Sequence, residues 1–267
     1  MPHATGGFST RNASVAYYNS PFIEAVITFF MFLSGANFML HYAALRGRLN
    51  YFKDKEFIFY TLIMVGSILV MTADLRYSVF NSISDAFRYS SFQAVSIMTT
   101  TGFTTSNFDA YPALSRMVLL ILMFIGGCAC STGGGIKNIR ILIILKYFYR
   151  EIYQFIHPNA IISIKVGEDT IPDDVIKGVM GFFMGYITIF IVSTLIVTAY
   201  GIDIVTALSS VAATQGNVGP GLGLVGPMYT FAFLPDVIKI VLTFCMWVGR
   251  LEIFTVMVLF VPDFWKE

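Results

Sequence analysis

This chain carries little charge. Aspartate, glutamate, lysine and arginine make up 12% of its 267 residues, where a soluble domain has about 25%. A soluble globular enzyme is excluded on that ground. A net charge of +1 leaves no global field to draw nucleic acid. Cysteine is scarce too: Cys128, Cys130 and Cys245 lie in or beside apolar stretches, which speaks against a disulfide framework and for packed thiols. His3, His41 and His157 make no ligand cluster. No nucleophile, base and orienting acid recur at a catalytic spacing, and no signal peptide is visible. What is present is apolar: 56% of residues are hydrophobic, 26 of them phenylalanine and 13 methionine, and the mean hydropathy is +0.73. The composition is that of an all-α membrane protein, because a chain in hydrocarbon must satisfy its own backbone.

About 20 apolar residues cross the hydrocarbon core. Spans are predicted at Pro21 to Leu45, Phe57 to Thr72, Val175 to Tyr200 and Pro235 to Val261. Ser115 to Phe148 is too long for one span and carries glycines at its middle. It reads as a broken helix, with halves Met117 to Ile125 and Ile136 to Tyr147. Gly181 and Gly185 form a GxxxG pattern, read as packing. Basic residues crowd the segment from Arg46 to Lys55 and the region from Lys137 to Lys177, which puts both on the cytoplasmic side.

A short polar motif recurs three times: Thr5-Gly6-Gly7-Phe8, Thr101-Gly102-Phe103-Thr104 and Asn217-Val218-Gly219-Pro220. Each copy precedes a long apolar helix. Irregular backbone at membrane depth is tolerated only where it is buried in protein or lines a water-filled path. Two copies follow amphipathic segments too short to span, Ser84 to Met98 and Asp203 to Thr214. Ser84 or Asp85 is expected to cap the first and Asp203 the second. The C-terminal end of such a half-helix carries about half a negative charge and favours a cation beyond it. Backbone carbonyls can replace the hydration shell of potassium, as in the filters of potassium channels. Thr5, Gly6, Gly7, Thr100, Thr101, Gly102, Asn217, Val218 and Gly219 are therefore the candidate cation-coordinating positions, through main-chain oxygen.

The glycine-rich centre of the broken helix is a second candidate site: Gly126, Gly127, Ser131, Thr132, Gly133, Gly134, Gly135 and Lys137. A nucleotide-binding P-loop is excluded, because Lys137 stands between Ile136 and Asn138 rather than before Ser or Thr. Arg250, inside the last apolar helix, is the third feature, since a charge at that depth is costly and defaults to a functional reading. Glu252 faces away from it on the same helix and is expected to pair with another.

The ensemble resembles the TrkH/TrkG/KtrB family of potassium transporters. The resemblance rests on Ser96-Ile97-Met98-Thr99-Thr100-Thr101-Gly102-Phe103, Ser131-Thr132-Gly133-Gly134-Gly135-Ile136-Lys137, His157-Pro158-Asn159-Ala160, Asn217-Val218-Gly219-Pro220-Gly221-Leu222-Gly223 and Gly249-Arg250-Leu251-Glu252. It implies repeated helix–pore helix–filter loop–helix units around a pseudo-fourfold pore, here truncated at the N-terminus. The expected division is a partial second repeat at 1–46, a third at 47–150, a cytoplasmic hairpin at 151–177 and a fourth repeat at 178–267. The resemblance also implies potassium (K+) as transported ion, an intramembrane loop beneath the filter, and Arg250 facing that loop as part of a gate. It further implies a bacterial inner membrane, a homodimer, and a cytosolic nucleotide-binding regulatory subunit of the TrkA kind. The alternative is a non-conducting fragment that needs a separate N-terminal half.

Overall fold

The computed structural model describes residues 5–11, 13–160 and 162–266. His3 lies outside them. Among the described residues the helices are α1 (Pro21–Gly35), α2 (Phe38–Leu45), α3 (Lys55–Ser78), α4 (Ile83–Met98), α5 (Ala113–Ile125), α6 (Asn138–Ile156), α7 (Asp173–Ala199), α8 (Ile204–Gln215), α9 (Asp236–Leu251) and α10 (Ile253–Val258). One small antiparallel hairpin, β1 (Lys165–Val166) with β2 (Asp169–Thr170), interrupts them. Helix α6 runs on to Ile156 and α7 starts at Asp173, so the irregular part of the expected 151–177 connection is narrower than that range.

Helices α3 and α7 are each long and apolar enough to cross a membrane, and α1 with α2 makes a third span if the bent pair is counted as one. Leu62 and Leu69 on α3, and Met184 and Leu195 on α7, point outward and exposed. Those apolar faces suit lipid, which costs an aliphatic side chain nothing. The two short helices behave oppositely. From Phe92 to Met98 in α4, and from Ser209 to Gln215 in α8, every residue is buried. Their serines, alanines and threonines are small enough for neighbours to close in on all sides. Met31, Tyr60, Met64, Ile97, Leu119 and Met123 pack as one core around α4. Val197, Val211, Leu242 and Cys245 pack as another around α8.

Three local expectations are corrected. The predicted span from Pro21 to Leu45 is two helices bent by 101°. The break has a cause: the carbonyls of Ser34 and Gly35 are taken by the N–H groups of Thr132 and Cys128, at 3.4 and 2.8 Å, and the Asn37 side chain caps α2 by accepting from Met39 N–H at 2.9 Å. A chain segment inserted into the helical ladder produces a sharp kink. The last span is also divided, at Glu252, whose φ of 67° no helix accommodates. At α4 the N-cap position falls to Ser82, which makes no side-chain cap, rather than to Ser84 or Asp85. Asp203 does cap α8, accepting from Thr206 N–H at 3.0 Å.

Candidate functional site

Both half-helices end in the same way. After α4, Thr100 N–H donates to Ile97 O and Thr101 N–H to Ser96 O; after α8, Asn217 N–H donates to Thr214 O and Val218 N–H to Ala213 O. This is a Schellman closure, whose turning residue must be left-handed. Thr100 and Asn217 fill that position without being glycine, each with φ 57°. Two residues later Gly102 and Gly219 are again left-handed, at φ 75° and 112°. The loops are tied back by hydroxyls: Ser96 donates to Phe103 O at 2.6 Å, and Ser209 donates to Leu222 O at 3.0 Å.

The three glycine loops come together. A Cβ on Gly102 would lie 2.0 Å from Val218 O, one on Gly219 would lie 2.5 Å from Gly6 O, and one on Gly7 would lie 2.8 Å from Gly102 O. No side chain fits between these backbones, which is why glycine stands there. The first loop also bonds to the second: Gly6 N–H donates to Thr100 O at 3.1 Å and Gly7 N–H to Thr101 O at 2.8 Å. Those two carbonyls, expected to face an ion, are engaged by the neighbouring loop in this structure. A cleft of ≈ 720 Å³ opens beside the glycines, lined among others by Thr5, Gly7, Gly102, Asn217, Gly219 and Arg250.

Below the loops lies the segment between α5 and α6. Gly134 N–H donates to Thr100 Oγ1 at 2.9 Å, and a Cβ on Gly134 would lie 2.4 Å from Gly216 O. The segment thus fits under the ends of both half-helices. Its start and end are laced together: Ile136 N–H donates to Phe124 O and Asn138 N–H to Gly127 O, both at 2.9 Å. Gly126, with φ 76°, gives its carbonyl to the Asn138 side chain at 2.8 Å. Ser131 donates to Cys128 O at 2.6 Å, and a Cβ on Gly133 would lie 3.4 Å from Thr99 O.

Arg250 Nη1 donates to the Thr132 carbonyl at 2.9 Å. Glu252 binds Arg140 of α6 at 2.8 Å, and the Arg140 guanidinium rests on the Phe182 ring, 4.0 Å from its centroid. Lys137 starts α6 with a left-handed φ of 73°. A second cavity, of ≈ 240 Å³, is lined by Ser131, Gly133, Gly135, Lys137 and Arg250 among others. Arg250 therefore borders both spaces, the cleft beside the glycines and the cavity under the loop.

Two residues at the site were not singled out from sequence. Asp109 accepts from Gly223 N–H at 2.7 Å and joins the loop after Gly102 to the loop after Gly219. Glu56, buried at the start of α3, accepts from Ala129 and Ile139 N–H groups. An acidic residue in a helix's first turn has an ordinary explanation in the helix dipole. Nothing local marks these two as reaching across the molecule.

The pattern of the TrkH family, described as cation transport protein, matches residues 4–267. The chain belongs to the TrkH family. The Trk system potassium uptake protein TrkH of Escherichia coli K12 is 43% identical over 99% of this chain and 55% of its own length. The uptake protein TrkG of the same strain is 35% identical over 98% of this chain and 54% of its own. The crystal structure of the potassium transporter TrkH from Vibrio parahaemolyticus superposes with a TM-score of 0.91 at 43% identity, covering 97% of this chain and 56% of that one. The chain thus spans about half the length of the curated relatives it matches. Its mostly helical, membrane-type fold is that of the family, and these relatives are transporters rather than enzymes.

Proposed function

We propose that this chain is part of a potassium uptake path. Potassium enters between the glycine loops, passes the glycine-rich segment and Arg250, and leaves toward the cytoplasm of a bacterial cell through its inner membrane. The observation that carries the reading is the mutual contact of three features. Three glycine loops meet at the ends of two buried half-helices. The 126–137 segment lies against those ends. Arg250 borders both the cleft beside the loops and the cavity beside the segment. Main-chain oxygens of Thr5, Gly6, Gly7, Thr100, Thr101, Gly102, Asn217, Val218 and Gly219 supply the dehydrated ion's ligands. The negative ends of α4 and α8 add a favourable field.

In this reading the segment from Gly126 to Lys137 is the gate. Arg250 holds it through Thr132 O and repels a cation at the same point. The 1–46, 47–150 and 178–267 stretches are successive repeats about one axis, with 151–177 between the last two. The outer partners are lipid, a second copy, and a cytosolic nucleotide-binding subunit like TrkA at the basic face around Lys146, Arg150 and Lys165.

A specific observation favours a second reading for the chain alone. The Gly6 and Gly7 N–H groups take one lone pair each of Thr100 O and Thr101 O, so those oxygens are weaker ligands for an ion while the first loop stays docked on the second. On this reading the isolated chain does not conduct and requires a separately supplied unit on the same axis.

The test is potassium-limited growth and rubidium uptake in an uptake-deficient bacterium, with the chain alone and with the first half of a relative co-expressed. Uptake that requires both supports the second reading. Uptake from neither, with the protein in the membrane, overturns the function. Arg250→Ala in the active combination is expected to raise rubidium flux by roughly tenfold, because one hydrogen bond to a charged donor contributes about 1.5–3 kcal/mol. Flux that stays level or falls, at equal expression, removes Arg250 from the gate.

A further inference from the structure

The segment beneath the filter needs something to hold it, because glycines alone leave it free to rearrange. Part of the hold comes from its own ends and from Arg250. The rest comes from a group outside the gate residues. Glu56 sits in the first turn of α3, 6% exposed. Its Oε1 accepts from Ala129 N–H at 2.6 Å and from Ile139 N–H at 3.1 Å. Ala129 lies within the segment, and Ile139 lies in the first turn of α6, just past its other end. One carboxylate oxygen therefore bridges both sides of the loop's base.

The surrounding chemistry explains why a carboxylate is there. Helix α6 begins at Asn138, and Lys137 at its N-cap position makes no side-chain cap, so its first N–H groups need acceptors from elsewhere. Asn138 N–H finds Gly127 O, and Ile139 N–H finds Glu56. The negative charge lies at the positive ends of two helices at once, α3 and α6. Charge-assisted bonds of this kind are among the stronger ones a protein makes.

We propose that Glu56 is a positioning residue that latches the 126–137 segment in its place under the filter, so that the segment moves only when this carboxylate lets go of Ala129 and Ile139. The inference rests on the gate reading above for its functional meaning, but its structural content can be tested without ion flux. Cys128, 0% exposed, lies one residue before Ala129 and gives its N–H to Gly35 O. Cys245, also buried, lies on α9 against Ser193 and is remote from the latch.

The experiment is alkylation of the chain in native membranes with N-ethylmaleimide, followed by peptide mass spectrometry of Cys128 and Cys245. Three forms are compared: unmodified, Glu56→Ala and Glu56→Gln. Glutamine loses the charge near Cys128 but keeps an oxygen that accepts both N–H groups, so it separates an electrostatic effect on the thiol from release of the loop. The expected result is Cys128 labelling faster in Glu56→Ala than in Glu56→Gln by about tenfold, with Cys245 unchanged, as alanine loses the two hydrogen bonds that glutamine keeps in neutral form. Equal Cys128 rates in the Ala and Gln variants overturn the latch. A rise shared equally by Cys245 assigns Glu56 to general packing and overturns it as well. Rubidium flux in the same membranes, with the complementing half present, rises in Glu56→Ala if the gate reading also holds. Faster Cys128 labelling with flat flux leaves the latch standing and counts against the gate.

Discussion

The two half-helices, α4 and α8, reach the same backbone solution by different supports. Each is buried at its C-terminal end, closes with the same pair of hydrogen bonds, and turns on a left-handed Thr100 or Asn217. Their surroundings then diverge. Helix α4 is tied to α1 by a two-point ion pair, Arg88 to Glu24, at 2.6 and 2.7 Å. No ion pair reaches α8 among the described residues; it is held by its Asp203 cap and by hydroxyls. Thr100 Oγ1 accepts from Gly134 N–H of the 126–137 segment, whereas Asn217 Nδ2 donates to Met246 O on α9 at 3.3 Å. The helix after the first loop is interrupted by 12 residues, from Gly126 to Lys137, and the helix after the second by Glu252 alone. The difference teaches that the same backbone closure can be reached twice in one chain while each half-helix is held by different side chains and supports a different segment beneath it.

Substitution of the central glycines tests the shared part. Gly102→Ala and Gly219→Ala should each destabilise by more than about 4 kcal/mol and abolish uptake, since the added Cβ meets backbone oxygen and the φ is left-handed. Gly47→Ala, at φ 78° with nothing within 4 Å, isolates the strain and should cost only about 1–2 kcal/mol in thermal unfolding. If only one filter glycine is sensitive, the copies are not equivalent. Removing one charge tests the first difference. Arg88→Met leaves Glu24 buried without its partner and should cost about 3–5 kcal/mol, read as a drop in Tm in detergent. A drop below about 1 kcal/mol would place the pair among surface bridges.

Smaller effects sharpen the contrast. Thr100→Val removes the acceptor for Gly134 N–H and should cost about 1–3 kcal/mol, with Thr100→Ser near neutral. If valine is as stable as serine, the contact between half-helix and the 126–137 segment carries no weight. The smallest effect is at Asp203. The Thr206 hydroxyl, then the backbone N–H groups of Thr206 and Val205, hold its carboxyl below the ordinary aspartate value of 3.8, against the opposing pull of partial burial. A depressed folded value means that the cap's contribution is complete above 3.8 and is lost as pH falls through the lower, folded value. Below pH 3.8 the Tm should therefore fall more steeply for the natural chain than for Asp203→Asn. Parallel curves would show that the cap charge does not matter.

Much of the architecture was legible because it is written in local pattern. The long apolar runs read as spans, the glycine cluster from Gly126 to Gly135 as a helix break, and Asp203 as a cap. The α4 cap was misread by two residues, a local error; the largest misreading was one in which a distant segment intervenes. Nothing between Pro21 and Leu45 announces a bend of 101°, because the carbonyls of Ser34 and Gly35 are diverted by Thr132 and Cys128, nearly a hundred positions on. The pairing of Glu252 was expected on another helix, but its partner Arg140 emerges only once α6 and α9 are placed.

By itself, then, the order of residues determined that this chain lives in a membrane, where its helices lie, and which glycines interrupt them. Those are consequences of hydropathy and of φ, properties each residue carries with it. Tertiary structure alone decided that the three glycine loops touch, that the 126–137 segment lies under them, and that Glu56, Arg250 and Asp109 reach across to hold backbone N–H or carbonyl groups. Main-chain donors and acceptors are the same at every position, so their long-range choice of partner leaves no mark in sequence until the chain has folded.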